Sequence, residues 1–354
     1  MTATMRAAVY HGRRDVRIEE VPVPEPRAGE VLLAVRRSGI CGSDATEWVA
    51  GPKVVPLTRR HPGSGHLGPM IIGHEFVGEV VSGGSGFAAG ELVAAGAGVS
   101  CGRCDRCGEG RTNLCRRYYT LGLNAPGGLA EYVAAPAGLL RRIPDGISLD
   151  HAGLAQPLAV GLHAARRAGV RPGDSVVVIG AGAIGSFVLA GLRHLYDAEV
   201  TVLDFPGDKL DRATRLGAAR VVDATGEVVE AVREQTGGRG ADVVIEASGA
   251  PGQFENAVRM VTDGGRVLAV GLPKQAPAVD LFGLVLREIT VESTVAHVCG
   301  EDLGPALEIL DGGVLGAALL DSVIGLEDLT DRGLARLAAG KVDGKVLIDP
   351  GRRA

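Results

Sequence analysis

Residues 176–188 read VVVIGAGAIGSFV: four branched apolar residues, glycines at 180, 182 and 185, then the start of an apolar helix. This is GxGxxG in the context that gives the motif meaning, directly after a strand and opening a helix. Gly180 permits the tight turn, Gly182 lets backbone approach a pyrophosphate, and Gly185 allows close helix packing. Ala183 and Ile184 sit at the helix N-terminus, whose dipole attracts the negative charge. In TVLDFP, about 20 residues on, Asp204 closes the next strand, where a carboxylate accepts hydrogen bonds from an adenosine ribose. Asp204 would repel a 2'-phosphate and no arginine follows it immediately, so the reading favours NAD over NADP. The strand before and the helix after argue against the plainer alternative of a glycine-rich turn beside a surface Asp.

Working outward, SVVVIG, EVTVLD, ARVVDA, ADVVIEAS, GRVLAVG and EITVES are compact apolar strands with helix-compatible segments between several of them. Such alternation predicts a parallel sheet flanked by helices, an α/β fold. Before it, from Arg6 to about Ala135, short strands such as AAVYHG, DVRIEE, EVLLAV and EFVGEVV are separated by Pro and Gly. That half reads as mostly β. HAGLAQPLAVGLHAARRAG has helical spacing ending at Gly169, and the chain finishes on the strand-like KVLIDP. The period changes give a first part of a catalytic domain over 1–154, a nucleotide domain over 155–291 and a return over 292–354. A chain of 354 residues suits two domains.

Composition excludes several classes. With 46% hydrophobic and 22% charged residues the chain is globular, and its 54 dispersed glycines mark turns rather than a repeat. Net charge is −5 and the 37 basic residues form no block, which argues against a nucleic-acid partner. The run Ser175–Leu192 holds 18 uncharged residues, but its branched start and patterned glycines fit strand, turn and helix rather than a membrane span. MTATMRAAVYHGRRDVR has no apolar core before its charges, so a cytoplasmic setting is expected. There, clustered cysteines bind metal more readily than they form disulfides.

Four of the six cysteines fall in CGRCDRCGEGRTNLC. Cys101, Cys104, Cys107 and Cys115 have a spacing that lets one loop wrap four thiolates around a tetrahedral zinc. A closed thiolate shell leaves no position for substrate, so this zinc is expected to be structural. Free thiols, or a small nucleic-acid-binding finger, are the alternatives, and no basic finger helix accompanies them. The chemistry then falls to Cys41 in SGICGSD and to His74 and Glu75 in IIGHEFVGEVV. Each alone is ambiguous; together with a dinucleotide fingerprint they suggest a catalytic zinc with an open position. Cys299 has no assigned role beyond a structural thiol.

GICGSD, GHEFVGEV, the four-cysteine loop, GGLAEYV, PLAVGLHA, GAGAIG and GGRVLAVG, in that order, resemble the zinc-dependent medium-chain dehydrogenases over essentially the whole chain. The segment from Cys41 to His74, including HPGSGHLGPMIIGHE, looks like the 2,3-butanediol dehydrogenase branch, near the sorbitol and threonine dehydrogenases. The resemblance implies a GroES-like catalytic domain interrupted by a Rossmann domain, two zinc ions per chain, and a homodimer or homotetramer. It implies that Cys41 and His74 bind catalytic zinc, with Glu75 a ligand or close neighbour, and that Ser43 passes the substrate proton. The implied reaction oxidises a secondary alcohol (a diol, polyol or cyclitol-like substrate) to its ketone with NAD. Two departures stand out. QPLAV places Gln156 where such enzymes typically read E-P-L-A-V; its amide can offer a carbonyl oxygen but no charge. Thr46 stands where relatives often carry a relay histidine, with Glu47 a candidate substitute. Gln156 also keeps open a catalytically silent, NAD-binding member of the family that serves as an interaction protein. Trp48 reads as a pocket wall or as packing.

Overall fold

A computed structural model describes residues 3–82 and 84–353; Met1, Thr2, Gly83 and Ala354, which include the outer limits of the expected domains, lie outside it. The chain forms two compact units, Met1–Gln156 with Val298–Ala354, and Pro157–His297.

The second unit holds a six-stranded sheet. Its order is Arg220–Asp223, Glu199–Asp204, Ser175–Ile179, Ala241–Glu246, Val261–Ala269, Thr290–Ser293. Every pairing in it is parallel. In chain order that is 3-2-1-4-5-6, the doubly wound dinucleotide fold, whose order reverses beside the first strand. The uncharged run from Ser175 resolves into the strand Ser175–Ile179, the glycine turn and the helix Ala183–Leu195. Both faces of the central strand are covered: Val176 and Val178 join a core with Val188, Leu189 and Leu192, while Val177 and Ile179 join another with Val229 and Met260. This two-sided burial explains why these strands read as continuous apolar runs. Among the described residues no helix is long and apolar enough to cross a membrane.

The first unit is mainly β. Strands Thr4–Gly12 and Asp15–Pro22 pair antiparallel, and a larger mixed sheet centres on Glu30–Gly39. Glu30–Gly39 pairs antiparallel with Glu75–Ser82, placing Gly39 opposite Glu75, and also with the C-terminal strand Lys345–Asp349. The segment expected as one helix from His151 is broken: Leu149–Ala152 and Ala155–Arg167 are separate helices, with Gly153 packed against Leu347 at the junction.

Candidate functional site

Cys41 caps the helix Gly42–Ala50, and the motif CGSD closes that end on itself. The Cys41 N–H donates to Asp44 Oδ2 at 2.8 Å, the backward half of a capping box. His74 arrives from a different direction. Gly73 adopts φ +95°, and a Cβ there would run into Leu129, so only glycine makes this turn into the strand Glu75–Ser82. The pairing of Gly39 with Glu75 then holds Cys41, two residues beyond Gly39, beside His74.

The result is one of two clusters of metal-ligating side chains found among the described residues: donor atoms of Cys41, His74 and Glu75 lie within 4.8 Å of one another. His74 and Glu75 are buried and Cys41 half-buried, a mixed sulfur, nitrogen and oxygen set suited to zinc. Ser43 Oγ stands 3.5 Å from His74 Nε2. Asp44, unremarked in the sequence, faces His74 as well, with Oδ1 3.6 Å from Nδ1. Burial works against a charge on His74, but the Asp44 carboxylate and Cys41 together raise its pKa well above the usual value. A second residue escapes sequence reading. Lys345 Nζ donates to Glu75 Oε1 at 2.7 Å and lies 2.5 Å from Oε2. Burial would lower the Lys345 pKa, yet Glu75 and Cys41 hold it above the ordinary lysine value. Its only sequence signal is one charge ahead of the apolar run Val346–Leu347–Ile348.

Gln156 is buried in the first unit, in the helix Ala155–Arg167. Thr46 is exposed, three residues after Ser43 on the same helix face. Glu47 is otherwise engaged: its carboxylate accepts the N–H groups of Lys53 and Val54 at 2.6–3.0 Å and is buried. It anchors the following loop rather than presenting a free base. Trp48 packs into the core with Tyr10, Ile40 and Met70.

The second cluster joins Cys101, Cys104, Cys107 and Cys115. Cys104 Sγ lies 3.5 Å from Cys107 Sγ and 3.9 Å from Cys115 Sγ. Four sulfurs about 2.3 Å from a zinc would stand roughly 3.8 Å apart, so the donor set fits that ion. All six cysteines are free thiols. Backbone N–H groups of Arg116 and Cys107 draw the Cys104 thiol down to about 6, which favours the ligating thiolate. Arg116 grips Asp105 with two contacts of 2.7 and 2.6 Å, tying the residue after Cys104 to the residue after Cys115. Cys299 is buried elsewhere, its thiol 3.4 Å from the Leu139 carbonyl.

In the second unit Gly180 has φ +101°, and a Cβ on Gly185 would collide with the Gly180 carbonyl, whereas a Cβ on Gly182 would meet nothing. The middle glycine therefore leaves backbone open to approach, and Gly182 caps the helix that begins at Ala183 and Ile184. Asp204 accepts the Ala181 N–H at 2.6 Å and the Phe205 N–H at 2.7 Å. Buried Arg212 donates to the Ala181 carbonyl at 2.9 Å, a support for the turn that the motif does not reveal.

Comparisons with known proteins agree with this architecture. Residues 27–145 match the alcohol dehydrogenase GroES-like domain and residues 183–311 the zinc-binding dehydrogenase domain. (R,R)-butanediol dehydrogenase of Bacillus subtilis strain 168 is 32% identical over 98% of this chain and all of its own. Sorbitol dehydrogenase of the same organism is 34% identical over 77% of this chain and 76% of its own. The crystal structure of 2R,3R-butanediol dehydrogenase from Bacillus subtilis superposes with a TM-score of 0.89 at 29% identity, covering 98% of this chain and 100% of that one. A chain so similar over nearly its whole length, with both domains matched in order, belongs to the zinc-type medium-chain alcohol dehydrogenase family.

Proposed function

We propose that the protein oxidises a secondary alcohol, a diol or polyol, to its ketone with NAD. The meeting of Cys41 and Ser43, at the start of one helix, with His74 from a distant segment carries this reading. Cys41 and His74 would hold the catalytic zinc, with Glu75 beside them and Gln156 as an uncharged amide in the same unit. Zinc in such a set supplies Lewis acidity that makes an alcohol proton easier to remove. Ser43 Oγ receives that proton, and exposed Thr46 on the same helix face passes it to solvent. The glycine turn at Gly180, Gly182 and Gly185 would hold the cofactor's pyrophosphate, and the nicotinamide would supply the hydride acceptor. Asp204, held at its strand end by two N–H groups, favours NAD because a 2'-phosphate would meet its charge. A second, structural zinc would occupy the four-cysteine loop.

A homodimer through the second unit is part of the same reading. Thr290–Ser293 is an open edge of the parallel sheet. Nearby, the helix Leu281–Leu286 exposes Phe282 at 75% and Leu286 at 68%. An unpaired edge beside an apolar helix is a surface that a second copy would cover. Light scattering should show a dimer or larger, and Phe282→Asp should shift it toward monomer; a monomeric native protein would refute this part.

The deciding experiment is elemental analysis of purified protein without added metal or chelator, followed by turnover on vicinal diols and polyols with NAD. Two zinc ions per chain with NAD-dependent turnover support the proposal. One zinc that added metal does not raise, or NAD binding without turnover on a broad alcohol and ketone panel, points to the silent alternative.

A further inference from the structure

A second carboxylate stands across the glycine turn from Asp204. Glu246 ends the strand Ala241–Glu246, pairs with Ile179 at the close of the central strand, and is only 3% exposed. Its Oε1 accepts the Ser248 N–H at 2.8 Å, the Gly249 N–H at 2.9 Å and the Ser248 hydroxyl at 2.5 Å. Its backbone carbonyl accepts the N–H groups of Val270 and Gly271 at 2.8 and 2.9 Å, just beyond the strand Val261–Ala269. One residue therefore ties together the loops that follow two neighbouring strands. Glycines let those loops close. A Cβ on Gly271 would collide with the Gly249 nitrogen and Glu246 Oε2, and one on Gly249 would strike the Leu272 carbonyl. One on Gly180 would stand 3.0 Å from Ser248 Cβ, so the first glycine of the turn also makes room for this loop.

Position gives this knot its meaning. The sheet order reverses between Ser175–Ile179 and Ala241–Glu246, and a dinucleotide lies across the carboxyl ends of the strands at such a point, one half on each side. Asp204 stands on one side, at the strand end proposed for the adenosine ribose, and Glu246 stands on the other. A buried charge persists through its donors, and charge-assisted hydrogen bonds are the strong ones. Three of them on one oxygen hold a loop whose Gly249 has no side chain to pack. We propose that Glu246 is a positioning residue that fixes the loops at 248–249 and 270–272 as the wall against which the nicotinamide half of the cofactor seats. The inference rests on the NAD reading above and leaves the adenosine half to Asp204 and the glycine turn.

The test uses full-length protein as wild type, Glu246→Ala, Glu246→Gln and Ser248→Ala, each titrated with NADH by fluorescence and with ADP by calorimetry. ADP carries the adenosine and the pyrophosphate but no nicotinamide. Glu246→Ala should weaken NADH binding at least tenfold and leave the ADP dissociation constant within twofold of wild type. Glu246→Gln, whose amide oxygen still accepts N–H groups, should recover part of the loss, and the KM for NAD should follow the same order. Ser248→Ala removes one of the three donors and should show the same selective loss at about threefold; it decides the matter if neither Glu246 variant folds. Equal weakening of NADH and ADP, or no weakening of NADH, would overturn this proposal alone. A wild type that does not bind NADH overturns the NAD reading along with it.

Discussion

Asp204 reaches back from the end of its strand to accept the Ala181 N–H at 2.6 Å, so the carboxylate that would select the cofactor also braces the glycine turn. A side chain tied to the turn arrives pre-oriented, with less rotamer freedom to lose on binding. Asp204→Ala should therefore cost on two accounts. The kcat/KM ratio of NAD over NADP should fall at least tenfold, as expected when charge-assisted hydrogen bonds worth about 1.5–3 kcal/mol are lost. The melting temperature should fall as well, because Ala181 loses its acceptor. Steady-state kinetics with both cofactors and a thermal melt check the pair, and an unchanged cofactor ratio would remove Asp204 from the selectivity argument.

The four-cysteine loop should behave as a staple. Cys104→Ser should lower zinc content by one ion per chain and lower thermal stability, whereas Arg116→Ala, which breaks only the exposed grip on Asp105, should retain the ion and release it faster to chelator. Elemental analysis and chelator kinetics distinguish these outcomes. Full activity with the loop zinc stripped and the fold retained would deny it a structural role.

Gln156→Glu would put a carboxylate where this chain carries a neutral amide. On the proposed reading, in which residue 156 serves the metal held by Cys41 and His74, a carboxylate there should bind metal more tightly and reduce its Lewis acidity. Slower zinc release and an upward shift in the pH at which kcat is half-maximal are expected. No movement in either would place Gln156 outside the metal's influence.

Tyr10 carries a pH signature of its own. It is fully buried and donates its hydroxyl to the Glu47 carbonyl at 2.9 Å. Burial, with the Glu47 charge adding to it, pushes the Tyr10 pKa up to about 12. In the unfolded chain a tyrosine ionises near 10, so its contribution to stability is complete below about pH 10 and falls as pH rises toward 12. Urea unfolding between pH 9 and 11.5 should show stability declining more steeply in the wild type than in Tyr10→Phe. Parallel pH slopes for the two proteins would contradict this.

Much of this was legible in one dimension because the signals are local. The GxGxxG turn needs glycine for reasons set within six residues, and the parallel strands announce themselves by two-sided burial. Cys101 to Cys115 lie close enough in sequence for spacing alone to suggest one shell. The broken helix after His151 was less legible, since Gly153 interrupts it by packing against Leu347, almost two hundred residues away.

The residue chemistry of the site, a thiol, an imidazole and a carboxylate on a dinucleotide-binding chain, was determined by sequence. Which groups are free to act was decided by tertiary structure. Glu47 and Glu75 are the same residue type and both are buried in the first unit, yet Glu47 is engaged by two backbone N–H groups and Glu75 by an ammonium. Lys345 stands 270 residues from its partner and meets it through strand pairing with Glu30–Gly39. A carboxylate's role depends on which charge or donor lies within about 3 Å, and strand register sets that distance.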